Sequence, residues 1–261
     1  MIIANLLMAF TSHGKLSMMQ VFMGNYLMAA LFSYFVLPPG NLSLPLFDLG
    51  FGLLSGVFFL LTFWILQRSI VVNGMSLSAG VARISVIIPI LIAVIWFREG
   101  LTALNVLGIA LGLTAFALKT NPKELRNLFW IIALFLFAGL TDASLKIYKE
   151  LGSGAEPAFV FLIFCSAFAL TLLVILLGKI PIDRKSLLLG CVLGIPNRFS
   201  TVFFLKGLDD VPAEIAYPVV AVGGLLLIII CDIAFWHKKA TRFDLLLWFI
   251  LLLSLVLLNL D

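Results

Sequence analysis

Apolar residues run almost without interruption through most of this chain, in stretches of roughly twenty, the length that spans a bilayer. The runs are Met1–Phe10, Met18–Leu37, Leu49–Leu66, Met75–Phe97, Ala103–Leu118, Leu128–Tyr148, Pro157–Leu177, Leu187–Leu205, Ala213–Trp236 and Leu245–Leu260. The residues between them are turn formers: Pro38-Pro39-Gly40, Asn73-Gly74, Asn121-Pro122, Gly152-Ser153-Gly154 and Val211-Pro212. A backbone in hydrocarbon must satisfy its own N–H and C=O groups, and uninterrupted apolar stretches do so as helices. The pattern predicts an all-α membrane protein with about ten transmembrane helices.

The first run is the exception. Its residues, Met1–Phe10, make ~15 Å of helix, half of a ~30 Å hydrocarbon core. It also lacks the basic n-region and small-residue cleavage site of a signal peptide. An internal repeat accounts for it. Phe97-Arg98-Glu99-Gly100-Leu101-Thr102 and Trp236-His237-Lys238-Lys239-Ala240-Thr241 each close one long run and open the next, 139 residues apart (236 − 97). The same shift carries Gly14-Lys15 onto Ser153-Gly154, and the start of the sixth run, near Leu128, to position −11 (128 − 139). The expectation is a first helix that begins about a dozen residues before Met1, in a shortened reading frame; a truly short helix is the alternative. The chain then divides into a first five-helix repeat over 1–120, N-terminally truncated, and a second over 126–261. Five spans per repeat is an odd number, so the second repeat is inverted relative to the first. Inverted repeats allow alternating access, because the two halves can exchange conformations.

Composition agrees with lipid as the solvent. Hydrophobic residues make up 63% of the 261 and charged residues 11%, with a mean hydropathy of +1.20; soluble domains are about half apolar and a quarter charged. The net charge of +4 does not point to nucleic acid, because the basic residues sit in short loops with no basic face. Their distribution sets an orientation instead. Loops after the odd-numbered runs carry eleven of them: Lys15; Arg68; Lys119, Lys123 and Arg126; Lys179, Arg184 and Lys185; Lys238, Lys239 and Arg242. Loops after the even-numbered runs carry three, Arg98, Lys149 and Lys206. By the positive-inside rule the odd loops are cytoplasmic and the C-terminus is outside. Cys165, Cys191 and Cys231 lie singly inside apolar runs and read as packing residues. His13 and His237 fall in loops of different repeats, and no HExxH, GxSxG, P-loop or GxGxxG occurs. No cluster has metal-ligand spacing. The reading is a non-enzyme without cofactor or metal.

The last three basic residues, Arg83, Lys146 and Arg198, lie inside spans. A charge at membrane depth costs several kcal/mol unless it is paired or faces a wet cavity, so each is a site candidate. Ser76 and Gly80 precede Arg83 by seven and three residues and share its helix face as a small polar stripe. Asn197-Arg198 is mid-run, with Gly194 and Thr201 on roughly the same side. Asp142 and Lys146 are four residues apart and can pair; Asp142 neutralising Arg83 is the alternative. Asp232 reads as an interfacial partner of Lys238 and Lys239, and Glu99 as a cap of the fifth run or a headgroup-facing acid. Pro89, Pro196 and Pro218 free backbone carbonyls within spans. Gly108-x-x-x-Gly112 and Gly190-x-x-x-Gly194 are faces for close helix contact.

The stretch from Gly80 through Arg83 and Pro89 to Phe97-Arg98-Glu99-Gly100-Leu101-Thr102 resembles the end of an EamA repeat of the drug/metabolite transporter superfamily. In the second half, Asp142-Ala143-Ser144-Leu145-Lys146, then Gly194-Ile195-Pro196-Asn197-Arg198-Phe199-Ser200, then Tyr217-Pro218 and Gly223-Gly224, continue the likeness, which covers essentially the whole chain. The resemblance implies ten helices in two inverted repeats and a central cavity lined by the third, fourth, eighth and ninth, with the first and sixth nearby. It adds Tyr217 to a substrate-binding set of Arg83, Ser76, Asp142, Lys146, Asn197 and Arg198. It implies a secondary transporter, exporting or exchanging a small polar or anionic metabolite. The chain departs from the family in its short first run, in Lys238 standing where the first repeat has Glu99, and in its loop charges, which put the termini opposite to the cytoplasmic placement of well-known members. A flippase for lipid-linked substrates on the same fold, and a non-transporting membrane subunit or inactive remnant, are the rival readings. Expected partners are the small-molecule substrate and the bilayer, with coupled protons if Asp142 takes up and releases one during the cycle, in a monomer or homodimer. The expected location is a bacterial inner membrane, crossed several times.

The orientation has a direct check. Cysteines placed at Lys15, Lys123, Arg184 and Lys238 should resist a membrane-impermeant thiol reagent added to intact cells and react once the cells are opened. Ready labelling of most of them from outside would reverse the assignment.

Overall fold

A computed structural model of the protein describes residues 17–37, 44–119, 123, 125–236 and 242–258; of Ser76, Lys119, Leu225, 228–236, Arg242 and Asp244 it describes the backbone only. The first run, with His13 and Lys15, lies outside the described residues, as do His237, Lys238 and Lys239. The described chain is helical, with no strand among the described residues. The helices are α1 Met18–Val36, α2 Leu46–Asn73, α3 Met75–Ile84, α4 Ile87–Ile95, α5 Ala103–Lys119, α6 Leu128–Leu151, α7 Glu156–Leu177, α8 Arg184–Asp210, α9 Ala213–Trp236 and α10 Arg242–Leu258.

Six stretches are long and apolar enough to cross a membrane: Met18–Val36, Leu46–Asn73, Leu77–Ile95, Leu128–Leu151, Glu156–Leu177 and Arg184–Asp210. Ala103–Leu118, Ala213–Gly224 and Leu245–Leu258 are shorter apolar helices. The 17 residues of α5 or α10 rise ~25 Å, a few ångströms short of the hydrocarbon core, a mismatch a bilayer meets by thinning. The chain is thus an all-α, multi-pass membrane protein, with six full-length spans among the described residues rather than ten. Its outer surface is apolar: Leu46 keeps 84% of its surface, Phe35 79% and Trp96 78%.

Turn chemistry marks the joints. Gly74, at φ +83°, lets α2 end and α3 start one residue later. Asn73 fixes that joint to the entry of α6. Its Oδ1 accepts from the N–H groups of Arg126 (2.9 Å) and Asn127 (2.7 Å), and its Nδ2 donates to the Asn127 carbonyl (3.1 Å). Pro157 sits in the first turn of α7, where a missing N–H costs nothing. Asp183 precedes α8 and accepts from the Ser186 N–H (3.1 Å), the Ser186 hydroxyl and the Lys185 N–H (3.2 Å). Those bonds, the one from the Ser186 hydroxyl first, hold its carboxyl below the usual range.

Contacts divide the chain into two compact units. Of the described residues, one comprises those up to Gln67 with Ser144–Gly207; the other comprises those of Arg68–Ala143 with those from Leu208 on. Each unit draws on both sequence halves, so the 1–120 and 126–261 segments are not themselves the compact bodies. The helix starts nevertheless repeat. Starts at 18, 46, 75 and 103 shifted by 139 fall at 157, 185, 214 and 242; α7, α8, α9 and α10 start at 156, 184, 213 and 242.

In the first unit α1 packs on α7, its counterpart under this shift, with Tyr26 stacked on Phe164 and Tyr34 against Phe161. The α1 face that carries Val21, Asn25 and Ala29 also lies directly on α8. A β-carbon at Gly190 would collide with the Val21 carbonyl, and one at Gly194 with the Asn25 carbonyl. Residue numbers climb together along this seam, so α1 and α8 run parallel there. Asp48 closes the far end of the unit, accepting from the Tyr148 hydroxyl (3.2 Å) and the Ser153 hydroxyl.

In the second unit α5 packs on α10, again its counterpart. Gly108 meets Leu258 and Ser254, Gly112 meets Ser254, and the Ser254 hydroxyl donates to the Gly108 carbonyl (2.7 Å), so the pair runs antiparallel. Ala115, Phe116, Ala221, Val222, Leu247 and Leu251 form the buried cluster that joins α5, α9 and α10.

The glycine seam predicts a graded response. Gly190→Ala should lower the melting midpoint of the purified protein by the equivalent of ~1–3 kcal/mol, the usual cost of overpacking. Gly50→Ala, with open space around the added carbon, should leave it unchanged or slightly raised. Equal midpoints for the two variants would mean that the α1–α8 seam is not as tight as described.

Candidate functional site

Arg83 stands one residue before the end of α3, and the helix breaks immediately after it. Pro89 is the third residue of α4. It has no N–H to give the Ser85 carbonyl, four residues back, and its ring clashes with that position. The Ile88 N–H takes the Ser85 carbonyl instead (3.0 Å), the Val86 N–H takes that of Arg83 (3.3 Å), and the Ser85 hydroxyl takes that of Ala82 (2.9 Å). The run expected as one helix over Met75–Phe97 is therefore two, hinged at Ser85-Val86. Pro196 and Pro218, by contrast, lie inside continuous helices.

The Arg83 side chain is buried, at 9% exposure. Its guanidinium lies over Gly224 of α9, where a β-carbon would sit 3.7–3.8 Å from it. Asp142 of α6 is its electrostatic partner. Tyr217 of α9, buried as well, donates its hydroxyl to the backbone carbonyl of Asp142 (2.6 Å). Three elements of the second unit thus meet around the opposed charges of Arg83 and Asp142. Of the two basic residues the sequence set against Asp142, Arg83 acts on its charge, while Lys146 makes an ion pair with Glu150, one turn further on. Ser76 is on α3, and its side chain lies outside the described residues.

The other candidates belong to the first unit. Lys146 is 3% exposed. The Asn197 amide donates to the side-chain carbonyl of Asn25 (3.3 Å), and the Thr201 hydroxyl to the Asn197 backbone (3.1 Å). Arg198, buried, donates from Nε to the Ser33 hydroxyl (3.3 Å), and its guanidinium carbon stands 5.2 Å from the centre of the Phe199 ring.

One sequence reading of an acid meets a different outcome, and another falls outside the described residues. Glu99 does cap a helix, but that helix is α9: its carboxylate accepts from the N–H of Ala213, the first residue there (2.9 Å). The side chain of Asp232 lies outside the described residues. Asn25 and Ser33, not singled out from the sequence, were visible as polar residues inside the second apolar run. No metal-binding cluster of His, Cys, Asp or Glu occurs among the described residues.

No protein-family model matches the sequence. The chain is 27% identical over 225 residues to an uncharacterized protein of Haemophilus influenzae, an alignment that covers 79% of this chain and 75% of that protein. A protein of known crystal structure superposes with a TM-score of 0.72 over 99% of this chain and 93% of its own, at 13% identity. The likeness at that identity is one of fold.

Tyr217→Phe keeps the ring and removes the tie from α9 to α6. The melting midpoint should fall by the equivalent of ~1 kcal/mol, the net worth of one hydrogen bond. An unchanged midpoint would mean that the bond contributes nothing to holding the two helices together.

Proposed function

We propose that the protein is a secondary transporter of a small polar or anionic metabolite, working by alternating access, and that it is an EamA-type member of the drug/metabolite transporter superfamily. The observation that carries the reading is the hinged helix at Arg83. A charge at depth is expensive, and so is a break in a spanning helix; broken helices in membrane proteins occur where backbone and side chains line a protein cavity. Here both features fall within three residues, beside Asp142 and Tyr217. Arg83 fixes the charged or polar group of the substrate, and Asp142 balances it in the empty carrier.

The recurrence of helix starts at a shift of 139 supports two five-helix repeats. An inverted repeat requires each helix to be matched by a counterpart of opposite direction. The antiparallel pairing of α5 with α10 is of that kind. Ser76, on the same helix as Arg83, remains a candidate substrate contact. If transport is coupled to protons, Asp142 carries the proton, released or taken up as Arg83 engages the substrate.

Comparing metabolites in a deletion strain and an overexpressing strain supplies the substrate, and a reconstituted transport assay then tests the pair. Arg83→Gln should abolish uptake and Arg83→Lys should retain part of it, at unchanged yield and fold. Asp142→Asn should alter the pH dependence of the rate if protons are coupled. Full transport by Arg83→Gln would make this arginine structural and remove the main support for the reading.

A further inference from the structure

Arg198 differs from Arg83 in having no carboxylate beside it. Fourteen residues separate it from the start of α8 and twelve from the end, so it lies ~20 Å of helix from either terminus. Snorkelling over that distance exceeds the reach of an arginine side chain. Among the described residues its partners are the Ser33 hydroxyl, on Nε, and the face of Phe199. Its terminal nitrogens have no acceptor there, yet they are not sealed from the surface.

The surroundings are built rather than incidental. Gly190 and Gly194 bring α1 and α8 into backbone contact two turns and one turn before Arg198. Ser33, 1% exposed, then meets Nε, which leaves the two terminal nitrogens of the guanidinium for another acceptor. Phe199 stacks with Phe203 and meets Phe32 edge-on. Those three rings are partly exposed, at 37%, 65% and 38% respectively. A buried cation therefore adjoins an accessible aromatic shelf.

We infer that Arg198, oriented by Ser33 and roofed by Phe199, seats the carboxylate of a small amphiphilic anion whose apolar body rests on Phe32, Phe199 and Phe203. A planar guanidinium with both terminal nitrogens unused presents the fork that a carboxylate fills with two parallel hydrogen bonds. The aromatic shelf accepts a ring or short chain but offers no hydrogen bonds, so the rest of the ligand is apolar. A resting phospholipid keeps its phosphate at the interface, not at the depth of Arg198. The inference rests on the transporter reading only for the fate of the bound anion. The site lies in the first unit and involves neither Arg83 nor Asp142, so binding here and transport there can fail separately.

An unpaired buried charge destabilises the protein that carries it, whereas a structural ion pair stabilises it. That contrast gives a test with two readouts, made on the full-length protein in lipid nanodiscs. Phenylacetate at millimolar concentration should raise the melting midpoint of the wild-type protein, and phenylacetamide should not. Arg198→Gln should abolish the phenylacetate effect while leaving the ligand-free midpoint equal to or above wild type; Arg198→Lys should keep a weaker effect. A lower ligand-free midpoint for Arg198→Gln would show a structural arginine and overturn the proposal. Persistence of the phenylacetate effect in that variant, or an equal effect of the amide, would overturn it as well. Stabilisation by phosphatidylglycerol in place of phosphatidylcholine, with none by phenylacetate, would assign the site to a lipid headgroup and reject the small-anion reading.

Discussion

A peptide group in hydrocarbon has no water to bond, and leaving it unsatisfied costs several kcal/mol. The helical character of the described chain follows from that constraint, and so does the meaning of each departure from helix within a span. The break after Arg83 exposes carbonyls that an uninterrupted helix would use. Ile88, Val86 and Ser85 reclaim several of them locally, which limits the cost and leaves a hinge. Pro89 favours the break, because it has no N–H for the Ser85 carbonyl, although Pro196 and Pro218 carry the same lack inside helices that stay continuous. Its position two turns beyond a buried arginine therefore links a backbone disturbance to a charged group.

Close packing in lipid draws on small residues, since apolar side chains gain little by leaving the tails for one another. Each compact unit uses this device in a different geometry. In one, Gly190 and Gly194 admit α1 running parallel to α8; in the other, Gly108 and Gly112 admit α10 running antiparallel to α5, with the Ser254 hydroxyl bonded to a backbone carbonyl exposed by the glycine. The two small-xxx-small faces read from the sequence are both occupied, and both serve packing. The buried Asn25 and Ser33 and the half-buried Asn197, near the first of these seams, each find a partner across a helix pair.

Much of the architecture was legible because membrane helices announce themselves by length and composition. The apolar runs locate the described helices to within a few residues, apart from the end of α2, which runs seven residues past Leu66 to Asn73, and the shift of 139 taken from two loop hexapeptides reappears to within one residue in four helix starts. The interruption at Ser85-Val86 was half legible: Pro89 signals a disturbed helix, but Pro196 and Pro218 give the same signal inside helices that stay continuous. Partners across space were the least legible part. Asp142 has a basic residue four positions on, and local spacing favours that pair, yet Arg83, fifty-nine positions away, is the charge set against it (142 − 83). Glu99 likewise looks like a cap for the next helix and instead caps α9, 114 residues on. Spacing rules describe neighbours on one helix; they carry no information about which other helix arrives.

The two buried arginines give a last step. A desolvated guanidinium can be balanced by a carboxylate or left to a hydroxyl and an aromatic ring, and the second arrangement recovers less of the hydration lost. Arg83 has the first, with Asp142; Arg198 has the second, with Ser33 and Phe199. If both served only to hold helices together, an apolar residue of similar volume would do so at lower cost, and for Arg198 no acid would be orphaned by the change. Retention of the weaker arrangement at the middle of a long span is hard to reconcile with a purely structural role. It fits the anion-binding role proposed for Arg198, and the acid set against Arg83 fits the transport role proposed for that residue.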